Sequence, residues 1–280
     1  MIEVISTGIY TTLQDQGRFG YRNYGVPISG PMDLISARNA NRILNNEPNA
    51  ALLEFMLQGA VLKFNQAATI AITGATDSPT LNDEKIAVNI PIKVQVNDCL
   101  KVGRCSAGSF GYLAIMGGFL GEKILNSLAH YKGITSNQRI LKGEILKFNS
   151  QSFQALSISN KIELIDFNTQ EIFASKGPDY DTIDPKTVKN LLNSSFTVSN
   201  EINRMGYRID AQTPLEAAEI LTAPVQPGTV QLTPSGKLIV LMADCQTTGG
   251  YARILQLSAK SRSILAQKRT GSIFRFKFFD

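Results

Sequence analysis

One histidine, His130, and three cysteines, Cys99, Cys105 and Cys245, are all that this 280-residue chain carries of the two residue types. A single imidazole gives no support to a multi-histidine metal site or an ordinary Ser-His-Asp triad. Three thiols, odd in number and without metal-ligand spacing, are expected to be free in a reducing compartment. There is no Gly-x-x-x-x-Gly-Lys-Ser/Thr loop and no strand-linked Gly-x-Gly-x-x-Gly, so any use of ATP would need a partner chain or an unfamiliar site. No Met-Lys-Met biotinyl motif occurs, so no biotin is expected on this chain. Apolar runs fall well short of the ~20 residues a bilayer requires. No basic-then-apolar leader precedes Ile2-Glu3-Val4-Ile5, and the expectation is a cytoplasmic protein without a membrane partner. Basic residues exceed acidic ones by 28 − 23 = 5. They are spread without a stripe or aromatic interleaving, which argues against nucleic acid as a partner.

Hydrophobic residues make up 43% of the chain, enough for a core in one large domain or two ordinary ones. Short β-branched runs broken by glycine dominate. They predict strands at Ile2–Ile5, Val61–Phe64, Thr69–Thr73, Ile92–Val96, Cys99–Val102, Ser109–Met116, Ile145–Phe148, Ile162–Ile165, Ser195–Val198, Thr229–Leu232, Leu238–Met242 and Ser272–Phe278. That spacing favours an all-β barrel or sandwich architecture. Helices are expected only at Pro31–Asn45, capped by Ser29, and at Thr187–Leu192 and Ala259–Gln267. The polar piece Asn149–Asn160 reads as a linker between halves 1–155 and 156–280. A shared pattern, Gly59–Phe64 leading to Thr73-Gly74-Ala75 and Gly228–Leu232 leading to Asp244–Tyr251, hints at duplication.

Four constellations could carry chemistry. In Gln14-Asp15-Gln16-Gly17-Arg18 an amide, a carboxylate and a guanidinium stand close together between turn glycines; Asp15 and Arg18 could equally pair across the turn. Asn41 lies inside a predicted helix, where its side chain competes with the backbone, so it needs a specific partner and fits a loop cross-link. Nearby Glu54, flanked by apolar residues on a probable strand, reads first as a buried partner for Arg18 or Arg42, and second as a raised-pKa acid. Arg204-Met205-Gly206-Tyr207-Arg208 sets two guanidinium forks around a glycine, suited to carboxylate or phosphate, or else a surface salt-bridge loop. Asp244-Cys245-Gln246-Thr247-Thr248-Gly249-Gly250-Tyr251 ends the strand Leu238–Met242 in a polar, glycine-broken turn. Its backbone N–H groups could face an oxyanion, or Gly249-Gly250 could be a plain hairpin turn.

Taken in order, these motifs, with Gly25-Val26-Pro27-Ile28-Ser29-Gly30-Pro31-Met32-Asp33, Thr73-Gly74-Ala75 and Gln246–Tyr251, resemble the allophanate hydrolase subunit 2 family over nearly the whole chain. That family includes the C component of the bacterial 5-oxoprolinase, the antagonist of the sporulation kinase inhibitor, and the carboxyltransferase part of urea amidolyase. The resemblance implies two cyclophilin-like β-barrel domains with a few short helices. It also implies two partners: a kinase-inhibitor-like protein of the allophanate hydrolase subunit 1 family, and a LamB/YcsF-like protein. The chain departs from the family pattern at Asn126-Ser127-Leu128-Ala129, at Gln138–Glu144 and at Ala252, which puts the loop 119–139 in doubt as a site.

Three functions follow. The first is one component of an ATP-dependent hydrolase opening 5-oxo-L-proline to L-glutamate, with ATP and magnesium entering at the level of the complex. There Arg204 and Arg18 would bind anions, Asp244, with Asp15, would orient water or substrate, and Gln14, Asn41, Arg208, Gln246, Thr247, Gly249, Gly250 and Tyr251 would contact substrate. No metal ligands are assigned. The second is a regulatory partner of the kinase-inhibitor-like protein that performs no chemistry. The third is a carboxyltransferase using biotin carried on another chain.

Overall fold

The computed structural model describes residues 1–149, 162–216 and 220–279. The linker assigned to Asn149–Asn160 and the boundary at 155/156 lie, apart from Asn149, outside the described residues. By contacts the chain forms one unit from Met1–Arg18 and Ser29–Ile165 and another from Phe19–Ile28 and Asp166–Asp280.

The first unit is two antiparallel sheets with one helix. Five strands, Tyr10–Gln14, Leu52–Met56, Phe110–Ile115, Ala68–Gly74 and Pro91–Val94, are hydrogen-bonded in that order. Phe110–Ile115 is buried at every position, as a central strand must be when both its faces are covered. One covering element is helix α1, Leu34–Ile43, which packs on it and on Ala68–Gly74. The second sheet runs through Ile145–Phe148, Ile2–Ser6 and Val61–Phe64. Its strand Val61–Phe64 alternates, burying Leu62 and Phe64 in a core with Phe55, Ile72 and Leu113. Each such side chain contributes about 1.5–3 kcal/mol by leaving water.

The second unit closes seven strands, Glu171–Lys176, Ala252–Leu257, Thr229–Leu232, Leu238–Leu241, Gly206–Ala211, Phe196–Ile202 and Ile273–Phe278, into a barrel. Glu171–Lys176 and Ile273–Phe278 alternate in burial, turning Ile172, Ala174, Phe274 and Phe276 inward, while Glu171, Arg275 and Lys277 are exposed together with Phe173 and Ile273. Inside, the Phe196 and Phe276 rings lie 5.0 Å apart, and Phe274 meets Phe276 edge-on at 5.2 Å. Helices α2, Pro185–Asn193, and α3, Ala259–Gln267, are capped by Asp184 and Ser258 side chains. The mainly β fold with short helices and a barrel matches the sequence expectation.

Local corrections have physical causes. Helix α1 starts at Leu34, not Pro31, because Asp33 is its cap: its carboxylate accepts from the Ser36 N–H at 3.0 Å. Ser29, the expected cap, sits in a left-handed turn at φ 64°. Ile162–Ile165 is not a strand. The Glu163 backbone is instead bonded on both sides by the Asn39 amide, at 2.8 and 3.2 Å. Among the strands longer than two residues, Tyr10–Gln14, Glu171–Lys176, Gly206–Ala211 and Ala252–Leu257 escaped the sequence pattern, all of them containing polar residues among the apolar ones.

Candidate functional site

In the second unit, the strand Leu238–Leu241 delivers the turn 244–251. Asp244 accepts Arg204 Nε at 2.7 Å and Nη2 at 3.1 Å, a bidentate fork with both side chains largely buried. The Asp244 N–H donates to the Arg204 carbonyl at 2.8 Å, locking the same two residues through the backbone. Arg204 and Asp244, expected to bind an anion and to orient water, are thus each other's partner. Arg208 pairs with Glu201 at 2.9 Å, both about half exposed, so it follows the surface-pair alternative.

Beyond Asp244 the chain enters a two-stranded ladder, Thr248–Gly249 against Ala223–Pro224. The Thr247 carbonyl accepts the Val225 N–H at 3.1 Å, and the Tyr251 carbonyl accepts Gln231 Nε2 at 3.3 Å. A Cβ on Gly249 would lie 2.7 Å from Gln231 Nε2, so a larger residue there would push the Gln231 amide aside. Gly250 is half-buried and Tyr251 exposed. Gln246 and Thr247 are half-buried, and among the described residues no hydrogen bond engages either side chain.

Three cations line a cavity of about 550 Å³ beside this ladder: Arg22, Lys176 and Arg253; no carboxylate lines it. Arg22 stands in the 3-10 turn Arg22–Tyr24. Its Nη2 donates to the Val225 carbonyl and, at 3.4 Å, to the Thr247 carbonyl; Nη1 is buried without an acceptor. Cys245 lies beside it, and burial pushes the thiol up to about 11 against the pull of the Arg22 guanidinium. Arg253 forks onto Asp179 at 2.8 and 3.1 Å, which holds that carboxyl below its usual range, and donates to the Pro224 carbonyl at 3.1 Å. Lys176 is held only at the rim, 4.7 Å over the Tyr180 ring and 3.9 Å from Asp181.

In the first unit, Asp15 is a clamp. Its Oδ1 accepts the Gly17 N–H at 2.8 Å and the Ser127 hydroxyl at 2.6 Å, and Oδ2 accepts the Leu128 N–H at 2.7 Å. Arg18 is fully buried and donates through Nη2 to the Ala129 carbonyl. Both residues therefore hold the loop that departs from the family pattern. His130 follows; burial, and then the Arg18 charge, lower its pKa to about 4, keeping it neutral. It faces a cavity of about 310 Å³ with Glu122, Thr135, Asn137 and Glu144. Gln14 is buried, bonded to Thr12 at 3.0 Å, with Oε1 lacking a donor. Asn41 binds the Ala50 carbonyl at 2.8 Å and accepts Asn46 Nδ2 at 3.0 Å, a loop cross-link. Glu54 accepts the Met32 N–H at 2.7 Å and the Tyr112 hydroxyl at 2.8 Å, while Arg42 is exposed. Neither Gln14, Asp15, Arg18 nor Asn41 presents a side chain to open solvent.

Among the described residues no three His, Cys, Asp or Glu side chains gather as a metal cluster. No helix among them is long and apolar enough to cross a membrane. Sequence reasoning missed Arg22, Lys176 and Arg253. The signals were there: Arg22 follows the quoted glycine motif in Phe19-Gly20-Tyr21-Arg22, and Lys176-Gly177-Pro178-Asp179 is a charged glycine-proline strand end.

Residues 24–278 match the family described as carboxyltransferase domain, subdomain A and B. The chain belongs to that family. The Haemophilus influenzae 5-oxoprolinase C subunit is 32% identical over 297 residues, covering 99% of this chain and 91% of that protein. Lachancea kluyveri urea amidolyase is 35% identical over 233 residues, covering 76% of this chain and 13% of that protein. A crystal structure of Kluyveromyces lactis urea carboxylase superposes with a TM-score of 0.86 at 28% identity, over 98% of this chain and 27% of that one. The resemblance read from the motifs is in keeping with these relatives.

Proposed function

We propose that this chain is the C component of a multi-component ATP-dependent 5-oxoprolinase. It would convert 5-oxo-L-proline to L-glutamate together with a kinase-inhibitor-like partner of the allophanate hydrolase subunit 1 family and a LamB/YcsF-like partner. The observation that carries the reading is the end-to-end match: 99% of this chain aligns with 91% of a separate 5-oxoprolinase component. The match to urea amidolyase takes in only 13% of that longer chain.

A lactam carbonyl is resonance-stabilised, and its opening needs an activated oxygen, a water and a site for the anionic ends of the reactants. ATP with magnesium, held at the level of the complex, would supply the phosphoryl group that activates the oxygen. The residues of this chain bind and orient. Three cations and no carboxylate around the 550 Å³ cavity fit an oxyanion. The Gln246 and Thr247 side chains offer hydrogen bonds to the lactam amide. The Arg204–Asp244 fork fixes the turn that presents them. Asp15 and Arg18 act at a remove, as holders of the loop 127–130. The second reading, a carboxyltransferase that receives biotin on another chain, is supported by the family match and by the urea amidolyase relative.

The test is reconstitution with the two purified partners, following loss of 5-oxoproline and release of ADP and glutamate. ATP-dependent glutamate release supports the hydrolase. Carboxyl transfer from carboxybiotin without glutamate release would instead establish the second reading. Tight binding to the kinase-inhibitor-like partner with neither reaction would establish a regulatory role.

A further inference from the structure

The Arg22 guanidinium has no counter-ion. Its guanidinium donates to the carbonyl oxygens of Val225 and Thr247 and lies against the neutral Cys245 thiol, and no carboxylate stands within ion-pair distance among the described residues. A part-buried guanidinium in that position has lost hydration without gaining a negative charge, and its buried Nη1 lacks even a neutral acceptor. Arg253, in contrast, is neutralised by Asp179. The cavity these residues line therefore carries a net positive wall, and among the described residues the exposed Lys176 ammonium is held by nothing stronger than the 3.9 Å approach to Asp181 and the Tyr180 ring, so it can swing inward. Its volume, about 550 Å³, suits a small metabolite rather than a single ion. Gly177 forms part of the lining where a Cβ would collide with the Arg253 carbonyl, so the close backbone approach that shapes this wall is available only to glycine. The exposed Gln226 side chain adds a neutral donor and acceptor at the same wall.

We propose that this cavity, walled by Arg22, Lys176 and Arg253 in the second unit, is an oxyanion-binding site, and that its ligand is the carboxylate of a small cyclic amide acid, 5-oxo-L-proline. Arg22 supplies the uncompensated charge, and Lys176 closes over the anion. The choice of 5-oxo-L-proline rests on the proposed hydrolase function; the oxyanion site itself does not. A phosphate group shares the oxyanion chemistry, and the experiment separates the two sources.

The full chain is titrated by NMR or calorimetry with 5-oxo-L-proline, with 2-pyrrolidinone, which keeps the ring and lacks the carboxylate, and with inorganic phosphate. The proposal expects 5-oxo-L-proline to bind at least about tenfold more tightly than 2-pyrrolidinone, and Arg22→Gln to weaken it about tenfold or more, the range for a hydrogen bond to a charged group. Lys176→Gln, at the exposed rim, weakens it about threefold. Phosphate binding with the same losses, without 5-oxo-L-proline binding, keeps the oxyanion site and overturns the carboxylate assignment. Unchanged affinity in both variants, or no anion binding by the wild-type chain, overturns the site. If Arg22→Gln fails to fold by circular dichroism, Lys176→Glu carries the test, since a reversed charge at an exposed position leaves the fold intact and repels either anion. Turnover of the assembled complex is measured in parallel. Unchanged turnover in the variants sinks the site alone, whereas anion binding that depends on Arg22 in a complex without glutamate release sinks the hydrolase alone.

Discussion

Arg204→Ala is expected to cost stability before it costs chemistry. The guanidinium and the Asp244 carboxylate are 12% and 8% exposed and joined by two bonds, at 2.7 and 3.1 Å. Truncating one partner of a buried pair leaves the other charge unsatisfied, at about 3–5 kcal/mol. Residual solvent contact places this pair at the lower end, about 3 kcal/mol. For a chain of this size that lowers the melting temperature by about 6–12 °C. Replacing both residues by apolar ones of similar size, Arg204→Met with Asp244→Leu, is expected to recover most of the loss, because no charge is then stranded. Thermal unfolding of the wild type, Arg204→Met, Asp244→Leu and the double variant closes a double-mutant cycle with a coupling of at least about 1.5 kcal/mol. An Arg204→Ala variant melting within about 2 °C of wild type, or single effects that simply add, would refute the assignment of this pair as a structural clasp.

Three further outcomes follow from other parts of the chain. Asp15→Ala removes three hydrogen bonds to one carboxylate, and should destabilise the chain by about 1.5–3 kcal/mol with faster amide exchange at Leu128, measured by hydrogen exchange. His130 titrates near 4 when folded against 6.5 when unfolded, so its contribution is fully present above pH 6.5 and is lost as pH falls from 6.5 toward 4. The loss is on the order of 3 kcal/mol, and His130→Gln should flatten that part of the pH–stability curve. Cys99 is half-buried while Cys105 and Cys245 are buried, the latter with its thiol pushed up to about 11; iodoacetamide at about pH 8 should modify Cys99 first and the other two only on unfolding.

Much of the architecture was legible because alternation and turn chemistry are local. Val61–Phe64, Ile145–Phe148, Thr229–Leu232 and helix Ala259–Gln267 have the bounds read from the chain. Ala252–Leu257 escaped because Arg253 and Gln256 interrupt its apolar residues, and their partners, Asp179 and Pro227, are remote in sequence. The same limit governs the site. Whether a charged side chain meets a ligand or another residue depends on pairings across the chain. Arg204 and Asp244 are 40 residues apart and read as two functional groups, but fold into one ion pair. Arg22, the second arginine of a glycine-rich stretch, acquires meaning only where the fold sets it on carbonyls 203 and 225 residues away, without a counter-ion among the described residues.

The central claim is tested most directly by supplying 5-oxo-L-proline and ATP to the kinase-inhibitor-like and LamB/YcsF-like partners with and without this chain, and counting L-glutamate and ADP. The account predicts glutamate release that requires all three chains and yields about one ADP for each glutamate. Glutamate released at the same rate without this chain, or none from the complete and folded assembly, would contradict it.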